Sequence, residues 1–381
     1  MISRPYLLTP GPTSVPDAVL TKLGEPLIHH RTPQYRQIFR EVTEGLKTIF
    51  QTKSDVMTLT ASGTGAMEAS VVNLTSPGEE VIVIQSGKFG ERFREIAENF
   101  GVKVIPLDVP WGEAVRPEQV EQALRQNSKV VAVFATLCET STGVTHDIRS
   151  IASMTQKTQA LLVVDAISGL GAEEFNQDAW GVDVVVTGSQ KGLMLPPGLS
   201  FISVNPRAWK QISKAKTGRF YFDLSAYKKA LEDDDAPFTP AISLVIALRE
   251  SLKLIQQEGL SAMVQRHRRL AQATRAGIVA LGLELFAKAP CNVLTAVKVP
   301  QGINGEKLVS YLRDEKGVTF IGGQAQLKGK IWRIAHLGNI HSFDVIVAIS
   351  ALELALVKMG YNVQLGKGVA ACEGVFSKTD F

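Results

Sequence analysis

Short, strongly apolar runs alternate with amphipathic helical patterns through the first two-thirds of the chain, and this alternation restricts the fold more than any other feature. The spacing predicts strands over residues 56–60, 80–85, 102–107, 130–135, 160–165 and 182–186, with helices over 65–74, 88–100 and 117–125. Several of these strands are apolar almost throughout, as strands covered on both faces are. Strand and helix in alternation predict an α/β fold built on an open, mostly parallel sheet. The pattern then changes. Asp233-Asp234-Asp235-Ala236-Pro237 is an acidic, proline-containing break, followed by long helical patterns over 240–258 and 261–281. A strand over 293–299, a helix over 305–315, a strand over 331–335 and a helix over 342–358 complete a smaller α+β unit. The expected organisation is an N-terminal arm (1–18), a large α/β domain (19–256) and a small C-terminal α+β domain (257–381), with the stretch 366–381 left unassigned.

With 381 residues, 45% hydrophobic and 20% charged, the chain is long enough for two packed domains. A balance of 41 basic against 37 acidic residues, net +4, gives no reason to expect a nucleic-acid partner. The one dense basic run, Arg266-His267-Arg268-Arg269, lies in a helical pattern without interleaved aromatics and reads as a solvated helix face. Cys138, Cys291 and Cys372 are far apart in sequence and form no CxxC pair, so neither a metal site nor a disulfide framework is expected. The apolar stretch 345–357 carries Glu353 and is too short to span a bilayer, and the proline-broken start lacks a signal-peptide core. A cytoplasmic, membrane-free setting is the expectation.

One lysine stands out. In "VVVTGSQKGLMLPPGLSFISV", Lys191 lies between two apolar runs that read as buried strands. Ligands of open α/β sheets bind beyond the carboxyl ends of the strands. Asp165 closes the run Leu161-Leu162-Val163-Val164 and would share that edge with Lys191. Ser62-Gly63-Thr64-Gly65 leads from a strand into a helix, where free N–H groups make an anion site, although its spacing matches neither the dinucleotide fingerprint nor the P-loop. Phe89 follows a third strand end, and the hydroxyl-rich "ATLCETSTGVTHD" a fourth. Taken singly, these are also a salt bridge, an ordinary turn, a core aromatic and a loop closure. Together they supply an anion cradle, a flat aromatic, hydroxyl donors, a carboxylate and an amine on one edge. Pyridoxal 5′-phosphate needs all of these, and its aldehyde makes Lys191 the Schiff-base lysine.

Through "LLTPGPTSVP", "ASGTGAMEA", "VVDAISGLGAEEF", "GSQKGLMLPPGLSFIS", "TPAISLVIALRESL" and "WRIAHLG", the chain resembles the class V, fold-type-I pyridoxal-phosphate aminotransferases, in particular the alanine–glyoxylate and serine–glyoxylate group. The resemblance implies that Lys191 holds the cofactor and shuttles a proton, while Asp165 pairs with the ring nitrogen. It implies that Thr64, Gly65 and Gln190 bind the phosphate, Phe89 and Ile167 cover the two ring faces, and Thr140 reaches the phenolic oxygen. Thr239 would reach the phosphate of a neighbouring subunit, which implies a homodimer with shared sites. Arg333, costly inside an apolar strand unless paired, would bind the substrate α-carboxylate, with Gly11 and Pro12 beside it. The implied reaction is ping-pong transfer of an amino group from alanine or serine to a 2-oxo acid, glyoxylate. Two rivals are a class V cysteine desulfurase and a hydrogenase-associated accessory protein, since relatives carry the label of a soluble hydrogenase subunit. The first usually has His before the lysine, where Gln190 stands here; the second would need clustered thiolates.

Overall fold

The computed structural model describes residues 5–378; residues 1–4 and 379–381, the outer ends of the expected arm and C-terminal domain, lie outside the described residues. Seven strands form the main sheet: β1 (Asp55–Leu59), β2 (Glu80–Gln85), β3 (Lys103–Asp108), β4 (Ala132–Thr136), β5 (Leu161–Asp165), β6 (Val184–Gly188) and β7 (Ser200–Val204). They lie in the order β1-β7-β6-β5-β4-β2-β3. β2 to β6 run parallel to one another, whereas β7 is antiparallel to both β1 and β6. No helix bridges β6 and β7, so the chain turns straight back, and the turn carries Lys191.

The apolar runs are explained by burial on both faces. Alternate residues of one strand, such as Leu162 and Val164 against Leu161 and Val163, enter two separate cores. One core is closed by the helix Pro33–Phe50, which the sequence reading leaves unassigned. Thr32 caps it by accepting the Tyr35 N–H, Pro33 opens it, and Ile38, Val42, Leu46 and Ile49 bury one stripe.

Beyond Ile242–Glu258, Gly259 (φ 83°) takes a left-handed turn that favours glycine and hands the chain to Leu260–Ala280. The expected solvated face is only part of the truth: His267 is buried and accepts the Gly338 N–H, and Arg266 donates to the carbonyls of Gly338 and Ile340. A three-stranded antiparallel sheet follows, with Ile331–Ala335 between Leu294–Lys298 and Ile321–Gly322. The N-terminal strand Tyr6–Leu7 pairs with Val318–Thr319, and the Leu8 carbonyl accepts the Ala335 N–H (2.9 Å). The arm is thus sewn to the C-terminal layer before it reaches the lysine.

The unassigned tail forms the helix Lys367–Phe376. Gly368 serves close packing, because a Cβ there would come within 2.9 Å of Ile349, and so does Gly277 of the helix Leu260–Ala280, where a Cβ would lie 2.7 Å from Cys372 Sγ. Glu353, buried on the helix Ser342–Lys358, accepts the N–H groups of Gly366 (2.7 Å), Gly368 (2.8 Å) and Val369 (3.3 Å). Among the described residues no helix is long and apolar enough to cross a membrane. Glu353→Ala strands three N–H groups and is expected to cost about 2–3 kcal/mol in chemical denaturation. It should also expose the last helix to early proteolysis. A wild-type midpoint would mean that water replaces the carboxylate there.

Candidate active site

The turn after β6 and the end of β5 bring Lys191 and Asp165 to one edge, both buried. Lys191 Nζ donates to the Pro10 carbonyl of the arm. The arm is fastened at that point: the Thr13 N–H donates to the Gln190 carbonyl (3.2 Å) and Thr13 Oγ1 to the Lys191 carbonyl (3.1 Å). Gly11 has φ 131°, which favours glycine, and a Cβ there would lie 2.5 Å from Lys191 Cε and 2.6 Å from Cδ, so any other residue would push the lysine side chain aside. Burial lowers the Lys191 ammonium to about 8, against the attraction of Asp165. Burial lifts Asp165 to about 7; the Ile167 N–H (2.8 Å) and Lys191 oppose this, and the charge of Glu139 adds to it.

The helix Gly63–Leu74 starts with no side-chain cap; the Gly65 N–H donates to the Ser62 carbonyl (2.8 Å), which leaves the N–H groups of Gly63 and Thr64 for an anion. A Cβ on Gly63 would lie 2.6 Å from Ile167 Cδ1, so Ile167 rests against this turn. Gln190 Oε1 is buried beside Gly188 without a hydrogen-bond partner. Thr64 Oγ1 accepts from Arg92 Nη1 (3.2 Å), and the same guanidinium sits 4.8 Å from the centre of the Phe89 ring. Arg92 was not singled out in the sequence; its only signal there is the i, i+3 spacing from Phe89 at a helix start.

Arg333 is 2% exposed on the middle strand of the small sheet. It donates to the Thr140 carbonyl through Nη1 (2.9 Å) and to the Gly322 carbonyl through Nε (3.2 Å) and Nη2 (2.9 Å). Burial lowers it to about 10, so it stays a cation at neutral pH. Among the described residues its hydrogen bonds go to carbonyls alone, not to a carboxylate. Thr140 Oγ1 meets Ser168 Oγ at 2.6 Å. Thr239 stands exposed beside Tyr221 and Phe238, whose rings stack at 5.1 Å, and makes no side-chain hydrogen bond within the described residues.

Cys138 and Cys291, remote in sequence, meet in the structure as buried free thiols, and burial pushes Cys138 well up. Cys372 is buried as well and donates to the Ala273 carbonyl (3.2 Å). None is a mobile, exposed nucleophile of the kind a desulfurase needs. Among the described residues no three His, Cys, Asp or Glu side chains converge on a metal position.

A buried lysine of lowered basicity, an uncapped helix start and a carboxylate at one strand edge fit pyridoxal phosphate. Fold and site together define a fold-type-I, pyridoxal-phosphate-dependent transferase. The model of the family described as Aminotransferase class-V matches residues 5–335. The chain is 43% identical to a protein named soluble hydrogenase, small subunit, of Synechococcus sp., over 99% of this chain and 100% of that one. It is 34% identical to the L-aspartate–glyoxylate aminotransferase of Paracoccus denitrificans (100% and 98% covered) and 33% identical to the serine–glyoxylate aminotransferase of Methylorubrum extorquens (97% and 95%). Among solved structures it is similar to ureidoglycine–glyoxylate aminotransferase of Bacillus subtilis, with 31% identity, TM-score 0.94 and 99% of each chain covered. The chain belongs to the class-V aminotransferase family.

The lowered basicity of Lys191 has a direct consequence. In the apoprotein, capture of pyridoxal phosphate requires the neutral amine, so its rate is expected to climb with pH and level off near 8. An ordinary lysine would keep climbing towards about 10.4. Stopped-flow absorbance of cofactor uptake across this range is the check, and a rate still rising at high pH would contradict it.

Proposed function

We propose that this transaminase moves an amino group from a small amino acid, alanine or serine, to glyoxylate in ping-pong order. The observation that carries the proposal is Arg333: a buried guanidinium, clamped by the Thr140 and Gly322 carbonyls and charged at neutral pH, on the same constellation as Lys191 and Asp165. Such a cation calls for an anion, and the α-carboxylate of an amino acid matches its planar fork.

The bound group supplies a ring that accepts the electrons left at the substrate Cα. The rest is the work of the chain. Lys191 would attach the cofactor through Nζ and, as a free amine, would move the proton at the substrate Cα. Asp165 keeps the ring nitrogen protonated. The Thr64 N–H and the Gln190 side-chain amide would hold the phosphate, with the Gly65 N–H, which donates to the Ser62 carbonyl (2.8 Å), turning to it only if that bond is shared; Phe89 and Ile167 would cover the ring, and Thr140 would meet its phenolic oxygen. Gly11 and Pro12, pressed to Lys191 by the arm, favour a short donor side chain.

The shared glyoxylate in the names of the Paracoccus, Methylorubrum and Bacillus proteins supports the acceptor. The Paracoccus name raises aspartate as a rival donor. Against it, Arg92, the further arginine whose charge acts on Lys191 and Asp165, is already engaged with Phe89 and Thr64. The proposal includes a homodimer in which Thr239, exposed next to an aromatic patch, reaches the partner's phosphate site. It also includes a unit boundary near residue 257 and a reducing cytoplasm, supported by three free thiols.

Alanine or serine is expected to bleach the visible absorbance of the cofactor-loaded protein, and glyoxylate to restore it; aspartate should do neither. Borohydride should fix the cofactor on Lys191, as read by peptide mapping. Bleaching by aspartate alone would reject the donor assignment. Arg333→Lys, which keeps the charge but loses the fork, should raise the KM for the amino donor about ten- to hundred-fold in steady-state assays.

A further inference from the structure

Glu139 is fully buried at the site edge, and none of the roles above uses it. Its carboxylate accepts the N–H groups of Phe89 (3.1 Å), Gly90 (3.0 Å) and Ser141 (3.2 Å) and the Ser141 hydroxyl (2.5 Å). Ser141 Oγ in turn accepts the Lys88 N–H (3.0 Å). The first three N–H groups of the helix Lys88–Asn99 are therefore capped from a distant loop. The helix's own cap position, Gly87, has no side chain to offer. A Cβ on Gly87 would lie 2.6 Å from Glu139 Cγ and Cδ, so the glycine admits the foreign carboxylate. A negative group there also complements the helix dipole.

The first turns of that helix carry Phe89 and Arg92. Between the two capping residues lies Thr140, whose hydroxyl meets Ser168 and whose carbonyl accepts from Arg333. One tripeptide, 139–141, thus touches the ring-stacking aromatic on one side and the carboxylate-binding arginine on the other. Four donors converge on the Glu139 oxygens and use the roughly four acceptor positions of an ionised carboxylate. Nothing is left over for a substrate, which makes this a positioning group.

We propose that Glu139 is the residue that locks the Phe89 helix to the Thr140–Arg333 loop, so that the cofactor ring and the substrate carboxylate are held in one frame. This rests on the roles assigned above to Phe89, Thr140 and Arg333. A glutamine here would turn an N–H₂ group towards backbone donors, leaving at least one of them unpaired.

The test uses full-length wild type, Glu139→Gln, Glu139→Asp and Ser141→Ala, each as apoprotein titrated with pyridoxal phosphate. Glu139→Gln is expected to weaken cofactor binding about ten- to hundred-fold, reduce the visible circular dichroism of the bound cofactor, and both lower kcat and raise the KM of the amino donor. Glu139→Asp, which keeps the charge, should recover part of the affinity and the dichroism; a merely space-filling role would not favour it over Gln. Ser141→Ala removes one cap and should weaken binding several-fold in a folded protein. It carries the test should Glu139→Gln not fold. Wild-type affinity and dichroism in Glu139→Gln, or in Ser141→Ala where the former does not fold, overturn the proposal alone. A wild-type protein that takes up no cofactor at Lys191 overturns the functional reading on which it stands.

Discussion

The burial of one amine governs this structure. An ammonium taken out of water without compensation is costly, and a lysine answers by losing basicity. Here the amine lies at the end of the sheet, under the N-terminal arm and within reach of Asp165. The sheet supplies the low-dielectric edge, and the tight return from β6 to β7 fixes the position. The arm closes the site from above and carries a glycine at the one place where a side chain would collide with the lysine. The arm is itself held by the C-terminal sheet through Leu8 and by the lysine loop through Thr13. The amine therefore depends on both layers of the molecule.

Charge around that amine is arranged for an anionic guest. Lys191, Arg92 and Arg333 provide cations; Asp165 and Glu139 provide carboxylates. Arg92 is held by Thr64 and Phe89 and Arg333 by carbonyls, so among the described residues neither cation is neutralised by a direct carboxylate contact. A ligand bearing a phosphate, joined to one bearing an α-carboxylate, completes the balance. Buried charge is tolerable in such a place because it is hydrogen-bonded and because the ligand arrives with the opposite sign.

Local chemistry made much of this legible. Strands β1, β2, β4, β5 and β6 announce themselves as apolar runs because both faces of the sheet are covered there, unlike the half-exposed edge strand β3, and Asp165 stands out because it ends such a run and Lys191 because it lies between two. Patterns that depend on partners distant in sequence were not legible. Arg92 looks like any helix-surface arginine until Phe89 and Thr64 are brought beneath it. The helix Lys367–Phe376 hides behind glycines that would weaken it in isolation; Glu353 and the close approach to Gly277 make it stable. Glu139 reads as one more polar residue in a turn, since its four donors come from two separate segments. Cys138 and Cys291 count as isolated thiols until the fold apposes them.

That last pair bears on the names borne by similar chains. A protein 43% identical over nearly the whole chain is called a hydrogenase subunit, and hydrogen chemistry at a metal needs deprotonated thiolates in clusters. Cys138 and Cys291 are two rather than four, and burial favours the protonated form of Cys138; Arg275 donates to the Cys291 carbonyl (3.0 Å). A thiolate gains stability from an exposed, electropositive setting, the reverse of this one. The groups whose acidities the fold does displace towards neutrality at the strand edge are Asp165 and Lys191. A proton donor and acceptor poised near neutral pH beside an anion cradle are what amino-group transfer uses, and function is argued from such a site, not from a shared fold or a shared label.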